Sequence, residues 1–302
     1  MGKSLENIDD FFAHDLLPES LQNFLFDSSE WAIASAFIAY AAGDAFGVAH
    51  EFNATPIVPV IDTLLGKSDW PYGGVSDDTA LTLLTIQSMS EDAPEAAADR
   101  FLDLLREQQN FLRGLGPTTR FALGIPVKIE EQHLIGISNG GMMRTALLGM
   151  IFAPQREAER EAWITASVQA THKHPTAVKA ALLMAALFSD AASNGDQNPL
   201  PTLSDWTVSP KGISLDPMDT YFGVVHVATH ANTVKDAYIR ACELGGDTDT
   251  VAALAGSLVA ARLREKSELF DVGWLMDVKW SEIPEMKNAI ARLINLRTEW
   301  DL

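Results

Sequence analysis

The chain is 302 residues long, 47% hydrophobic, with a mean hydropathy close to zero, which describes a folded globular protein rather than a disordered one. Its formal charge of −19 and pI of about 4.6 exclude a general nucleic-acid binder and a protein drawn to anionic membrane surfaces. A single cysteine, Cys242, excludes an internal disulfide and every CxxC metal pattern, which fits a reducing compartment.

Residues 1–30 form an acidic segment with scattered apolar groups, among them Phe11, Phe12, Leu16, Leu17, Leu21 and Phe24. Their spacing suits short amphipathic helices that either pack on the body or grip a partner, and both readings stand. This start is acidic and polar, unlike a secretory signal, and the apolar stretch Trp31 to Ala42 is too short to span a bilayer. The expectation is a cytoplasmic, monomeric protein in contact with neither membrane nor nucleic acid.

From Trp31 the chain turns alanine-rich. The pattern predicts helices over residues 31–42, 79–90, 94–113, 143–151, 156–171, 175–190, 220–230, 233–243, 248–264 and 286–297. Pro94 and Pro175 sit where a first helical turn tolerates a missing N–H. Period-two alternation is scarce and no sheet is predicted. Residues 118–138 read as connecting structure and residues 193–202 as a surface loop. The expected fold is all-α, an orthogonal helical bundle with a central binuclear metal site. It spans residues 31–302 as one domain behind the extension of residues 1–30.

Two turns carry the chemistry. Gly245-Gly246-Asp247-Thr248-Asp249-Thr250 opens one apolar helix, and Gly73-Gly74-Val75-Ser76-Asp77-Asp78-Thr79 opens another. Taken singly, each reads as a helix cap, since Asp, Ser and Thr satisfy free N–H groups and acids suit the positive end of a helix. Taken together, their carboxylates would repel by about 4 kcal/mol per pair at 4 Å in a medium of effective dielectric 20. A divalent cation removes that cost, and donors that are all hard oxygens favour Mg²⁺, Mn²⁺ or Ca²⁺ over zinc.

Five motifs occur in order: Gly43-Asp44-Ala45-Phe46-Gly47 followed by Glu51; Ser76-Asp77-Asp78-Thr79; Ser138-Asn139-Gly140-Gly141-Met142-Met143-Arg144; Thr171-His172; and the turn Gly245 to Thr250. The series resembles the ADP-ribosylglycohydrolase family, over most of the chain from Trp31. The resemblance implies an all-α bundle, two Mg²⁺ or Mn²⁺ ions, and hydrolytic release of ADP-ribose from a modified protein side chain. By the same resemblance, Ser76, Asp77, Asp78, Asp247, Asp249 and Thr250 would be metal ligands. Glu51, Asp77 and Asp78 would do acid–base work. Asn139, Gly140, Gly141 and His172 would shape the substrate pocket, with Asp44 behind the metals and Arg144 structural.

One departure bears on the acceptor. Gly116-Pro117-Thr118-Thr119-Arg120 resembles a segment that follows an acidic residue in arginine-directed members, but here Arg113, Gly114 and Leu115 precede it. Arginine linkage is still the favoured expectation. A second expectation, again through the family, is an immunity protein whose residues 1–30 bind and block an ADP-ribosyltransferase toxin. The remaining signals are bland. His226 and His230 have zinc-pair spacing, but Val227 stands where HExxH needs glutamate. Cys242, Trp163 and Trp274 read as core, while Trp70 and Tyr72 are aromatic groups placed to meet adenine or ribose.

Overall fold

The computed structural model describes residues 29–53, 58–89, 93–265, 268–269 and 271–301, the side chains of 299–301 excepted. The acidic extension expected over residues 1–30 therefore lies outside the described residues, apart from Ser29 and Glu30, which open the first helix. Among the described residues the fold is all-α, and the only extended pairing is a single parallel bridge between Ile213 and Gly246.

Two helices form the centre. Helix α1 (Ser29–Gly47) is buried from Trp31 to Gly47, and its side chains are apolar all round apart from Ser35 and Asp44. Such a helix has no polar face to turn to water and is stable only inside a bundle. Its partner, the helix Thr248–Leu263, is buried from Thr248 to Ala261. They run antiparallel at backbone contact. A Cβ on Gly43 would stand 2.5 Å from the Ala252 carbonyl oxygen, and one on Gly47 would stand 2.4 Å from the Asp249 Cα. The predicted helix end at Gly43 was therefore too early. Gly43 and Gly47 do not break α1; they let the last turn approach its neighbour, and that turn carries Asp44.

Around this pair the chain lays α2 (Asp77–Ser88), α3 (Pro94–Gln108), the short α4 (Pro117–Ala122), α5 (Gly140–Thr145), α6 (Glu157–Gln169), α7 (Pro175–Asn194), α8 (Pro217–His230) and α9 (Val234–Leu244). Then come the central α10 (Thr248–Leu263) and α11 (Met286–Asp301). The predicted helix over residues 143–151 is instead α5 followed by a 3₁₀ segment, Ala146–Ile151, which Gly149 presses onto the α7 backbone with only 2.1 Å to the Ala185 oxygen for any Cβ. Helix α4 was not predicted from the connecting stretch. Among the described residues, one helix, α7, is long and apolar enough to cross a membrane, yet half of that window is buried in the bundle, including Ala177, Ala181, Met184 and Phe188. Trp163, Trp274 and Cys242 are buried as expected. Arg144 is buried too, with its guanidinium over the Phe101 ring at 4.0 Å and donating to the Ser167 carbonyl at 2.6 Å.

Candidate metal centre

The C-terminus of α1 and the N-termini of α2 and α10 converge on one cleft. It is lined by Glu51, Asp77, Asp78, Asp247, Asp249 and Thr250, with Asn139, Gly140 and His172 on the facing wall. Ser76 and Gly141 stand just behind that surface. The two acidic turns, far apart in sequence, thus meet as expected.

Each turn is held differently. At the second, Gly245 and Gly246 have φ values of 72° and 79°, conformations that favour glycine. A Cβ on Gly246 would fall 2.0 Å from the Ile213 oxygen, because the Asp247 N–H donates to that oxygen at 3.0 Å and the Ile213 N–H donates to the Gly245 oxygen at 2.9 Å. The Thr248 hydroxyl then donates to the Gly47 carbonyl at 2.8 Å, closing the end of α1. At the first turn the organiser is one carboxylate. Asp44, with no exposed surface, accepts from the Ser76 N–H (2.9 Å), the Thr79 N–H (3.1 Å) and the Thr79 hydroxyl (2.6 Å). Ser76 caps α2 by accepting from the Asp78 N–H at 3.1 Å, which leaves the second lone pair of its hydroxyl free of that bond.

The facing wall is neutral. Asn139 donates to Asp247 Oδ2 and, at 2.9 Å, to the Thr220 hydroxyl, so one amide fixes the orientation of a carboxylate. His172 is buried; burial first, then the Arg144 charge, pushes its imidazole down to about 3, so it is uncharged near neutrality. Its ring lies between Ser138 Oγ (3.1 Å) and Thr171 Oγ1 (2.8 Å), and Gly140 and Gly141 make room for it.

Electrostatically the cleft is lopsided. Burial pushes Asp77 up to about 8, helped by the charges of Asp44 and Glu51. Burial likewise raises Asp247 to about 7, with Glu51 adding to it and the Asn139 hydrogen bond opposing. Asp78 and Asp249 are raised well above the carboxylate range, again chiefly by burial and then by neighbouring carboxylates. Asp44 is raised by burial against the pull of its Thr79 and Ser76 hydrogen bonds. Among the cleft acids, Glu51 has a cationic partner, Lys67, whose ammonium donates to it at 2.8 Å from a half-buried position.

The donor set fits a divalent cation. One carboxylate oxygen each from Glu51, Asp247 and Asp249 lies within 4.8 Å of the others, and Asp78 Oδ2 is buried with no hydrogen-bond partner. Buried carboxylate oxygens without donors are costly unless a positive charge completes them. The ligand atoms are all hard oxygens, as Mg²⁺ and Mn²⁺ prefer.

Sequence reasoning missed three features of the cleft. Arg120 and Glu131 pair at its mouth, Lys67 secures Glu51, and the Gly212-Ile213 segment clamps the second turn. For the last, the sequence offered only the turn-like Pro210-Lys211-Gly212, in which Gly212 proves to have a φ of 79°. Trp70 and Tyr72 do not line the cleft: the Trp70 indole N–H donates to the Gly74 carbonyl and the Tyr72 hydroxyl to that of Leu64.

Known proteins resemble this chain over most of its length. A family model described as ADP-ribosylglycohydrolase matches residues 28–301. The ADP-ribosyl-[dinitrogen reductase] glycohydrolase of Rhodospirillum rubrum is 25% identical over 282 residues, covering 86% of this chain and 95% of that protein. A solved structure described as an ADP-ribosylglycohydrolase-related protein complex has the same fold, with a TM-score of 0.67 at 21% identity, covering 89% of this chain and 99% of that one.

Proposed function

The chain belongs to the ADP-ribosylglycohydrolase family, hydrolases of ADP-ribose glycosidic bonds, and we propose that it uses two Mg²⁺ or Mn²⁺ ions to release ADP-ribose from a modified protein side chain, arginine the favoured acceptor. The observation that carries this reading is the cleft itself, where five acidic side chains, Glu51, Asp77, Asp78, Asp247 and Asp249, gather from three helix ends beside the uncharged Asn139, Gly140 and His172. Asp77, Asp78, Asp247, Asp249 and Thr250, with Ser76 and Glu51 at the margin, would hold the cations. When bound, the cations supply a template for the ribose hydroxyls and make a water nucleophilic.

The rest is the work of the chain's own groups. Glu51 sits at the solvent side of the cluster and is placed to take a proton from the attacking water at a carboxylate oxygen. Asn139 keeps Asp247 turned into the cleft. Neutral His172, with Gly140, leaves an uncharged wall beside the acids. At the cleft mouth Glu131 is paired with Arg120 and Glu51 with Lys67, so an arginine acceptor would exchange its guanidinium for one of these partners.

The test is product detection. Purified protein with Mg²⁺ or Mn²⁺ is given ADP-ribosyl-arginine, ADP-ribosyl-serine and O-acetyl-ADP-ribose, and free ADP-ribose is measured. Release from the arginine substrate, lost in Asp247→Ala and in Asp249→Ala, is the expected result; no release from any of the three sinks the reading.

A second role is compatible with the first. The family match begins at residue 28, so the acidic, phenylalanine-bearing residues before it are additional to the hydrolase body. We infer that this segment blocks an ADP-ribosyltransferase toxin, making the protein an immunity factor as well as a hydrolase. Deleting residues 1–28 is expected to abolish inhibition of such a transferase while leaving ADP-ribose release intact; a truncated protein that still inhibits would sink it.

A further inference from the structure

The large apolar side chains that the fold leaves in water are not scattered. Among the described residues they fall, with Val208 the exception, in two stretches of chain, 52–72 and 111–129. Phe111, Phe121 and Ile129 are 78%, 61% and 84% exposed. Each lies within three residues of a cleft-lining residue, namely Gly114, Arg120 and Glu131. None of the three lines the cleft itself.

The two stretches form one rim. Trp70 lies against Gly114, with a ring carbon 3.4 Å from the position of a Cβ there, and the Arg113 guanidinium sits over the same ring at 5.7 Å. Lys67 joins the first stretch to Glu51, and the Arg120–Glu131 pair joins α4 to the 3₁₀ turn Ile129–Leu134. Apolar groups gathered around a polar mouth, and absent from nearly all other surface, mark a contact surface.

Such a rim does nothing for a nucleotide-sized group seated inside the cleft. It suits a surface that arrives with that group. Resting on the hydrolase reading above, we propose that the rim docks the folded protein carrying the ADP-ribosylated side chain, so that Phe111, Phe121 and Ile129 determine specificity for protein substrates. Continuity with the cleft identifies the occupant, because the body of a modified protein must stand where its modified side chain enters. The formal charge of −19 favours encounter with a basic protein, while the rim's own charges pair as Lys67–Glu51, Arg120–Glu131 and Arg113–Glu282 and leave the contact itself to the apolar groups.

The experiment compares two substrates modified on the same residue type: free ADP-ribosyl-arginine and a basic globular protein mono-ADP-ribosylated on arginine. The variant is the triple change Phe111→Ser, Phe121→Ser, Ile129→Ser, with thermal melting to confirm that it folds. The expected result is a fall in kcat/KM on the protein of about tenfold or more, carried by KM, with the free amino-acid substrate within about twofold of wild type. Equal loss on both substrates, or no loss on either, overturns the proposal. So does a wild-type dimer that the variant dissolves, which would make the rim a contact between copies. Deletion of residues 1–28 that exposes the rim to an apolar dye would assign it to the chain's own segment and overturn the proposal as well. A wild type inactive on both substrates overturns the hydrolase reading and the rim with it, whereas an active wild type with an unresponsive variant overturns the rim alone.

Discussion

The two acidic turns do the same job by different means. The turn at 245–250 is fixed by backbone: two left-handed glycines, a two-way exchange of hydrogen bonds with Ile213 and Gly245, and a hydroxyl closing α1. The turn at 73–79 has one left-handed glycine, Gly73, whose carbonyl accepts from the Lys279 N–H at 2.8 Å, and adds a side-chain anchor, the buried Asp44, which gathers three donors from Ser76 and Thr79. Backbone can be specified by leaving a Cβ out, while a side-chain anchor must itself be buried at an electrostatic cost. The difference teaches that one half of the centre rests on backbone shape, while the other adds a buried charge to it.

The largest expected effect tests whether the halves act as one charge cluster. Asp77 and Asp247 have folded values of about 8 and about 7 against an ordinary 3.8, so folding favours their protonated forms. The stability they lend is whole below about pH 4 and is lost as pH rises toward 8. In EDTA, the melting temperature should fall by about 10 °C or more between pH 5.5 and 8.5. Added Mg²⁺ or Mn²⁺ should restore most of it at the upper pH and little at the lower. A flat profile in EDTA would contradict a cluster strained by its own charge.

Next is Asp44→Ala, which strands three donors in a dry site and should cost about 3–5 kcal/mol by urea unfolding. A loss below about 1 kcal/mol would show that the first turn holds itself. Gly246→Ala should cost about 2–3 kcal/mol from the left-handed backbone and the clash with Ile213. It should also weaken cation binding, read by calorimetry, whereas unaltered binding would break the claim that backbone shape sets the second turn. The smallest effect is Thr79→Val, about 1 kcal/mol, since it deletes one of the three hydrogen bonds to Asp44 and leaves the other two. If it matches Asp44→Ala, the anchor is Thr79 rather than the carboxylate.

Much of this was legible in the sequence because it is local. Alanine-rich stretches without period-two alternation named an all-α fold, and glycine pairs followed by acids named both turns. What escaped is what depends on distance along the chain. Gly43 and Gly47 read as a helix end because nothing nearby shows that Ala252 and Asp249 press against them. Asp44 was read as a residue behind the metals, but its partners are invisible without knowing that Ser76 and Thr79 arrive above it. Lys67, Arg120 and Glu131 are ordinary surface charges until the loops that carry them close over the cleft. Residue 140 opens a short helix rather than a long one because Gly149, unremarkable in sequence, seats a tighter 3₁₀ turn on α7.

The glycine contact between α1 and α10 makes the helix pair a ruler. Asp44 and Gly47 lie on one scale, Asp249 and Ala252 on the other, and the scales touch without side chains between them to cushion a misfit. Sliding one helix by a single residue would move its mark by about 1.5 Å, a large error for oxygen atoms meant to share one ion. The gap between the halves of the centre is therefore a machining tolerance cut into the deepest part of the bundle. A methyl group added at Gly43 would meet the Ala252 backbone at 2.5 Å, so it would part the two helices and with them the two acidic turns.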